Sequence, residues 1–479
     1  MLFNSLKFLI FFPCVFLLYY ALPFRFRKYM LLAASYYFYM CWKPEFIVLI
    51  LFSTLAAYLC ALGTARWPAY KKWLLAVSLI LNLGCLFFFK YFNFFGETLT
   101  ALCRAVSIPF TAPALKVILP VGISFYTFQT LSYTLDVYRG NMEPERDFVT
   151  FALFVSFFPQ LVAGPIEKAA NLLPQLKEEH GFTYENAAWG IKLMAWGFFK
   201  KAVIADQLAL LVVDKVYNNL WSYEGGALVA ATCAFAVQIY CDFGGYSDIA
   251  RGCAKMMGID LMVNFKAPYF AASVTEFWRR WHISLTSWFR EYVYIPLGGN
   301  RRGAAKKCLF VLITFTLSGL WHGAAWTFVL WGVFHALFMN LEFLWFRKHP
   351  RRERGPVVHL IRCVVTFGVV SVLWIFFRAN TMADALYVLR HITWGIGSPV
   401  QYVVKGLADV SPGLIMTAVL GLSLTLLFLF DLADERGDAI ALVSGWPVWV
   451  RRPVYVGFVV LMVLLIPKEV SVPFIYFQF

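Results

Sequence analysis

The chain is short of charge, and of acid above all. Only 14% of its 479 residues are Asp, Glu, Lys or Arg, and 42 basic residues outnumber 27 acidic ones. Soluble proteins average about 25% charged residues, so a water-facing globule of this length is excluded. No CxxC pair occurs among the ten cysteines, which are scattered singly and mostly inside apolar runs. That spacing supports neither a zinc site nor a disulfide framework, and no other cluster suggests a metal; buried small hydrophobes are expected instead. No small-residue cleavage site follows the first apolar segment, MLFNSLKFLIFFPCVFLLYYALPFRFRK, whose basic cluster comes after it. This is the reverse of a secretory signal and predicts a retained first helix with its N-terminus outside. Internal repeats are missing too, which argues against the paired broken-helix halves of a secondary transporter.

What is present is hydrocarbon. Residues are 61% hydrophobic, and runs long enough to cross a core of about 30 Å recur from end to end. Basic residues cluster in short connections, among them Arg25, Arg27 and Lys28; Arg301, Arg302, Lys306 and Lys307; and Arg347, Lys348, Arg351, Arg352 and Arg354. Such loops stay cytoplasmic. The net charge of +15 therefore reports topology and contact with anionic lipid, and nucleic acid is not an expected partner. The pattern predicts an all-α polytopic membrane protein with twelve spans, near 6–23, 29–42, 45–63, 73–91, 117–137, 190–216, 226–243, 307–324, 326–346, 358–377, 413–431 and 453–467, both termini outside. One membrane domain is expected, with N-terminal spans in 1–116, a core in 117–346 and C-terminal spans in 347–479. Residues 151–166, FALFVSFFPQLVAGPI, are too short and too proline-rich to cross, and predict a re-entrant segment. Residues 265–299, which include TEFWRRWHISLTSWFREYVYIPLGGN, predict interfacial helices packed under the bundle.

Within this pattern SGLWHGAAWTF, residues 318–328, stands out, because His322 interrupts an apolar stretch. It lies 15 residues beyond Lys307, roughly 22 Å of helical rise into the membrane. Ionisable groups inside spans usually serve transport or catalysis. Gly319 and Gly323 clear space for a backbone or a substrate, and Trp321 and Trp326 are candidates to wall a narrow channel. An imidazole with a pKa near neutrality can take the proton of a hydroxyl nucleophile. His282 follows Phe277, Trp278, Arg279, Arg280 and Trp281 in the basic segment. That patch suits either a phosphate-bearing donor or a lipid-headgroup anchor. Two histidines at different depths predict a passage entered from both faces. His335 is expected to be a hydrogen-bonded packing residue. In YCDFGGYSDIARG, residues 240–252, Asp242 and Asp248 are candidate proton relays or the caps of a turn, with Gly244 and Gly245 breaking the helix.

These stretches, with PVGISFYTFQTLSYTLDVYRG and FFPQLVAGPIEK before them, resemble in order the membrane-bound O-acyltransferase (MBOAT) family over roughly residues 117–346. The similarity is to its bacterial branch acetylating alginate, cellulose and peptidoglycan. The resemblance implies a ring of about 11–12 helices around a thin centre with a through-membrane tunnel. It implies His322 as the catalytic histidine and His282 as the second conserved polar position. It implies acetyl-CoA as donor from the cytoplasm, an exported polysaccharide acceptor, an extracellular SGNH-type esterase-like partner and the bacterial inner membrane. The final VPFIYFQF is similar to an aromatic motif whose tyrosine carries the acyl group, which would make Tyr476 a relay; an aromatic interface belt is the other reading. Trp278, Arg279, Arg280, Trp281, Trp321 and Asp242 are the expected donor-binding or tunnel residues. Two rivals differ in chemistry: a D-alanyl transferase of the same family, and a proton-coupled secondary transporter.

Overall fold

The computed structural model describes residues 1–349, 355–465 and 474–475, and among them every regular element is helical. Among the described residues eight helices are long and apolar enough to cross a membrane: Pro44–Arg66, Pro68–Ala105, Gly226–Met256, Ile283–His322, Trp326–Lys348, Pro356–Arg378, Leu414–Arg436 and Val448–Leu465. Four of the twelve expected spans are helical without meeting that measure. Leu6–Ala21, Phe24–Met40 and Ile123–Arg139 are 16 or 17 residues long, and Tyr184–Tyr217 carries Lys192, Lys200 and Lys201. The chain divides into two compact bodies, residues 1–191 with 250–262, and residues 192–249 with 263–479.

The first body holds α1 (Leu6–Ala21), α2 (Phe24–Met40), α3 (Ile47–Arg66), α4 (Lys71–Leu86), α5 (Ile123–Arg139) and α6 (Phe148–Ser156). Every residue of α5 from Ile123 to Thr134 is buried, polar ones included. Two of their hydrogen bonds stay on the helix, Thr134 donating to the Thr130 carbonyl at 3.0 Å and Thr130 to that of Thr127 at 2.9 Å, while Gln129 reaches α6 and donates to the Phe154 carbonyl at 2.7 Å. Between α3, α4 and α5 the hydroxyl of Ser53 donates to the Asn82 amide oxygen, and the hydroxyls of Ser78 and Thr134 lie 3.2 Å apart. Residues 151–166 include two short helices interrupted at Phe157 and are buried throughout, so protein covers the backbone broken there. Glu167, just beyond, is fully buried and takes hydrogen bonds from the Met262 backbone and the Asn171 amide. Burial raises its pKa to about 7.

The second body is built on α7 (Gly226–Met256, whose last turns belong to the first), α8 (Val274–Arg280), α9 (Ile283–Phe289), α10 (Gly303–His322), α11 (Trp326–Lys348), α12 (Pro356–Arg378) and α13 (Leu414–Arg436). Two expectations change here. Gly244 and Gly245 do not break α7, which runs unbroken for 31 residues. A Cβ on Gly245 would sit 2.6 Å from the carbonyl oxygen of Gly197, so the missing side chain admits a neighbouring helix. Likewise Asp248 caps no turn, because it lies inside α7. In the segment 265–299, Phe277, Trp278 and Trp281 are all nearly or fully buried. After α9 the chain reverses through Gly298, Gly299 and Gly303, all at positive φ, and α10 runs back alongside. At the far end of α10 a Cβ on Gly319 would collide with the Phe328 carbonyl oxygen, so α10 and α11 meet backbone to backbone. The space at Gly319 is spent on a helix, not on a substrate.

Candidate active site

His322 is the last residue of α10, 2% exposed. Its Nδ1 lies 2.7 Å from the Ser318 carbonyl oxygen, one helical turn back. A carbonyl only accepts, so Nδ1 is the donor in this contact. Around the ring stand Trp331 at 4.9 Å, Trp321 at 5.0 Å and Phe377 at 5.6 Å between centroids.

His282 lies 6.3 Å from His322 by ring centroids. The expectation of different depths is therefore wrong. The reversal at residues 298–303 brings the start of α9 back to the end of α10, so both imidazoles share one place. Neighbouring arginines had suggested a cytoplasmic position for His282, yet its ring is fully buried. His282 caps α9 in the left-handed region, at φ 43°, a conformation that costs a non-glycine residue roughly 1–2 kcal/mol. The turn is held regardless: the Ile283 backbone N–H donates to the Asn264 carbonyl at 2.9 Å, and the Asn264 amide oxygen accepts from the Ser284 hydroxyl at 2.6 Å. Strain of this kind gathers at functional sites. Phe243 of α7 packs edge-on against His282 at 4.6 Å, and Trp321 lies 6.0 Å away.

The remaining candidates divide into two groups. Trp278, Trp281 and Trp321 are all buried; Trp321 packs against His282 and His322 and Trp278 against His335, while Trp281, next to His282 in sequence, packs on Phe277 and Trp374. Trp326 is 52% exposed and is no part of it. His335, expected to pack, accepts a 3.1 Å hydrogen bond from the Trp278 indole at Nδ1; sequence reasoning missed that Trp331, one turn before it, completes a wall against His322. Among the described residues the indole nitrogens of Trp281 and Trp331 and Nε2 of His335 are buried without a hydrogen-bond partner.

Arg279 and Arg280 face away from the histidines, into a cavity of about 800 Å³ that also takes in Lys266, Lys307 and Arg347. Arg280 pairs there with Glu276 at 2.7 Å and with Glu435. Glu342, also on the cavity, caps α8 by accepting from the Val274 and Thr275 backbones at 2.6 and 3.0 Å. No carboxylate pairs with Arg279, Lys266, Lys307 or Arg347 among the described residues, so the cavity has cations to spare.

Asp242 pairs with Lys201 at 2.6 Å, and Lys201 also pairs with Asp206 at 2.8 Å. Lys200 and Lys201 are nearly buried and neutralised, Lys200 by Asp248. Tyr476 lies outside the described residues.

Residues 144–379 match the membrane-bound O-acyltransferase family, MBOAT. The chain is 40% identical over 389 residues to a probable alginate O-acetylase of Azotobacter vinelandii, across 80% of this chain and 76% of that one. It is 36% identical to a protein of the same description from Pseudomonas putida, over the whole length of both. It is 34% identical over 393 residues to a peptidoglycan O-acetyltransferase of Helicobacter pylori, across 76% of this chain and 73% of that one. A helical multi-span membrane protein with a paired-histidine core and these relatives belongs to the membrane-bound O-acyltransferase family, in its bacterial O-acetyltransferase branch, and is an acyltransferase.

Proposed function

We propose that the protein moves an acetyl group from a cytoplasmic thioester, acetyl-CoA, across the inner membrane for O-acetylation of an exported cell-surface polysaccharide, with His322 as general base. The hydrogen bond from Nδ1 to the Ser318 carbonyl carries this reading. It leaves Nε2 as the basic nitrogen at the aromatic wall, the tautomer that a base requires. The alginate and peptidoglycan descriptions of the relatives support an exported glycan as acceptor.

The donor's phosphates bind the cationic cavity, where Arg279, Lys307 and Arg347 hold unspent charge. Its thioester arm passes α8 toward His282, two residues beyond Arg280. At the histidines a hydroxyl oxygen attacks the thioester carbonyl carbon while His322 Nε2 takes the hydroxyl proton. The carbon–sulfur bond breaks, and the thiolate leaves with that proton. His282 and the buried indole N–H groups of Trp281 and Trp331 supply polar contacts for the carbonyl oxygen as it gains charge. Since His322 is 2% exposed, the aromatic wall must shift to admit substrate. Tyr476 is the first acceptor, a phenol of pKa about 10 that needs such a base. An extracellular SGNH-type partner then takes the acetyl to the sugar, with the chain's termini on that side of a tunnelled helical ring.

The test is purified protein in proteoliposomes with labelled acetyl-CoA. Wild type is expected to transfer label to acceptor or to retain it at Tyr476, and His322→Ala to do neither while remaining folded. Normal transfer by His322→Ala defeats the base assignment. Label from a D-alanyl thioester in place of acetyl-CoA defeats the donor assignment.

A further inference from the structure

The lysine–aspartate cluster away from the histidines has more acid than its internal charge balance calls for. Lys201 is neutralised by Asp206 at 2.8 Å, yet a second carboxylate, Asp242, is buried against the same ammonium at 2.6 Å. Lys201, Asp206 and Asp242 are each 3% exposed, and burying an additional charge is unfavourable unless another group uses it. That group is the backbone N–H of Ile475. Asp242 Oδ1 faces Lys201, while Oδ2 accepts the backbone N–H of Ile475 at 2.7 Å, across 233 positions of sequence. Phe474 beside it is 1% exposed, with its ring 4.8 Å from that of Tyr246 and 5.7 Å from that of Phe243. Phe243 is the residue packed edge-on against His282.

We infer that Lys201 and Asp242 are positioning residues, a charged clamp that seats the segment Phe474–Ile475 on α7 beside the histidine pair. The proposal rests on the reading of Tyr476 as first acyl acceptor, and it says what sets that acceptor's starting point. Lys201 orients the Asp242 carboxylate, Asp242 holds one backbone N–H in place, and Phe474 fills the aromatic slot between Phe243 and Tyr246. Whatever follows Ile475 in the chain begins at this fixed point. A charge-assisted hydrogen bond suits the task because it specifies a single geometry in surroundings where apolar contacts alone would let the segment slide.

The test uses the full chain with p-benzoylphenylalanine at position 474. On irradiation the expected cross-link falls in the peptide containing Phe243 and Tyr246. Asp242→Ala is expected to lower its yield and to cut kcat for acetyl transfer by roughly 10²-fold at unchanged donor KM, as for a misplaced nucleophile. Asp242→Asn, whose amide oxygen still accepts the Ile475 N–H, is expected to restore most of both. Phe474→Ala, which leaves the ion cluster whole, is expected to lower kcat in the same way. An unchanged cross-link in a folded Asp242→Ala protein overturns the clamp. A lost cross-link with undiminished acetyl transfer overturns the positioning role and the Tyr476 reading beneath it, while His322 as base would still stand.

Discussion

Two regions of the molecule bury polar side chains among apolar ones, and they treat them in opposite ways. In the first body the column of Ser53, Ser78, Asn82, Thr130 and Thr134 is made of neutral groups, and each finds a hydroxyl, amide or carbonyl on its own or a neighbouring helix. In the second body the buried groups around His322 are imidazoles and indoles, and N–H groups of Trp281, Trp331 and His335 are left over among the described residues. A structural network saturates itself, because each unmet group weakens the fold. A site that must meet a reacting carbonyl keeps donors in reserve. The comparison separates two kinds of buried polarity that composition cannot distinguish.

The sharpest way to break it is His322→Ala. Acetyl transfer is expected to fall by about 10²–10⁴-fold, with the thermal unfolding midpoint barely moved; a large loss of stability instead would make the histidine cluster structural. Next is Glu167, a buried carboxylate of the first body. Its pKa is raised to about 7 by burial, above the value of a solvated glutamate, so folding favours the protonated form. That stability is fully present below the unfolded pKa and is lost as pH rises through about 7, by about 2–3 kcal/mol between pH 5 and pH 8. Glu167→Gln should flatten this slope in unfolding curves taken across that range. Asn82→Ala should then cost about 1–3 kcal/mol by stranding its partners, at unchanged kcat per folded molecule; a fall in kcat would erase the distinction between the two regions. The smallest effect is expected for Lys307→Glu at the cationic cavity: roughly a tenfold rise in donor KM at constant kcat, as for a lost charge-assisted contact to phosphate.

Much of this was legible without coordinates. An imidazole within a long apolar run is a local signal, since hydrocarbon penalises it wherever the chain folds, and His322 was found on that ground alone. The spans of the C-terminal half were legible for the same reason, as runs of apolar residues bounded by cations. Depth was not. Distance along one helix places His322 relative to Lys307, but nothing local tells that the chain turns back at Gly298–Gly303 and sets His282 against it. The burial of Lys200 and Lys201 was hidden for a related reason: a lysine goes into a bundle only where a carboxylate from another helix meets it, and Asp248 and Asp242 do. Gly244 and Gly245 looked like helix breakers, while at least Gly245 serves a close helix contact that only the neighbour reveals.

The order of residues by itself determined that this chain lives in a membrane, that it is helical, and that one histidine is out of place there. These follow from transfer free energies and from the need to satisfy every backbone group within its own segment, which act residue by residue. Only the tertiary structure decided that Nδ1 of His322 turns to the Ser318 carbonyl, that a second imidazole faces it, and that Asp242 reaches across the sequence to hold Ile475. Those are contacts between segments far apart in the chain, and their energies exist only once the helices have packed.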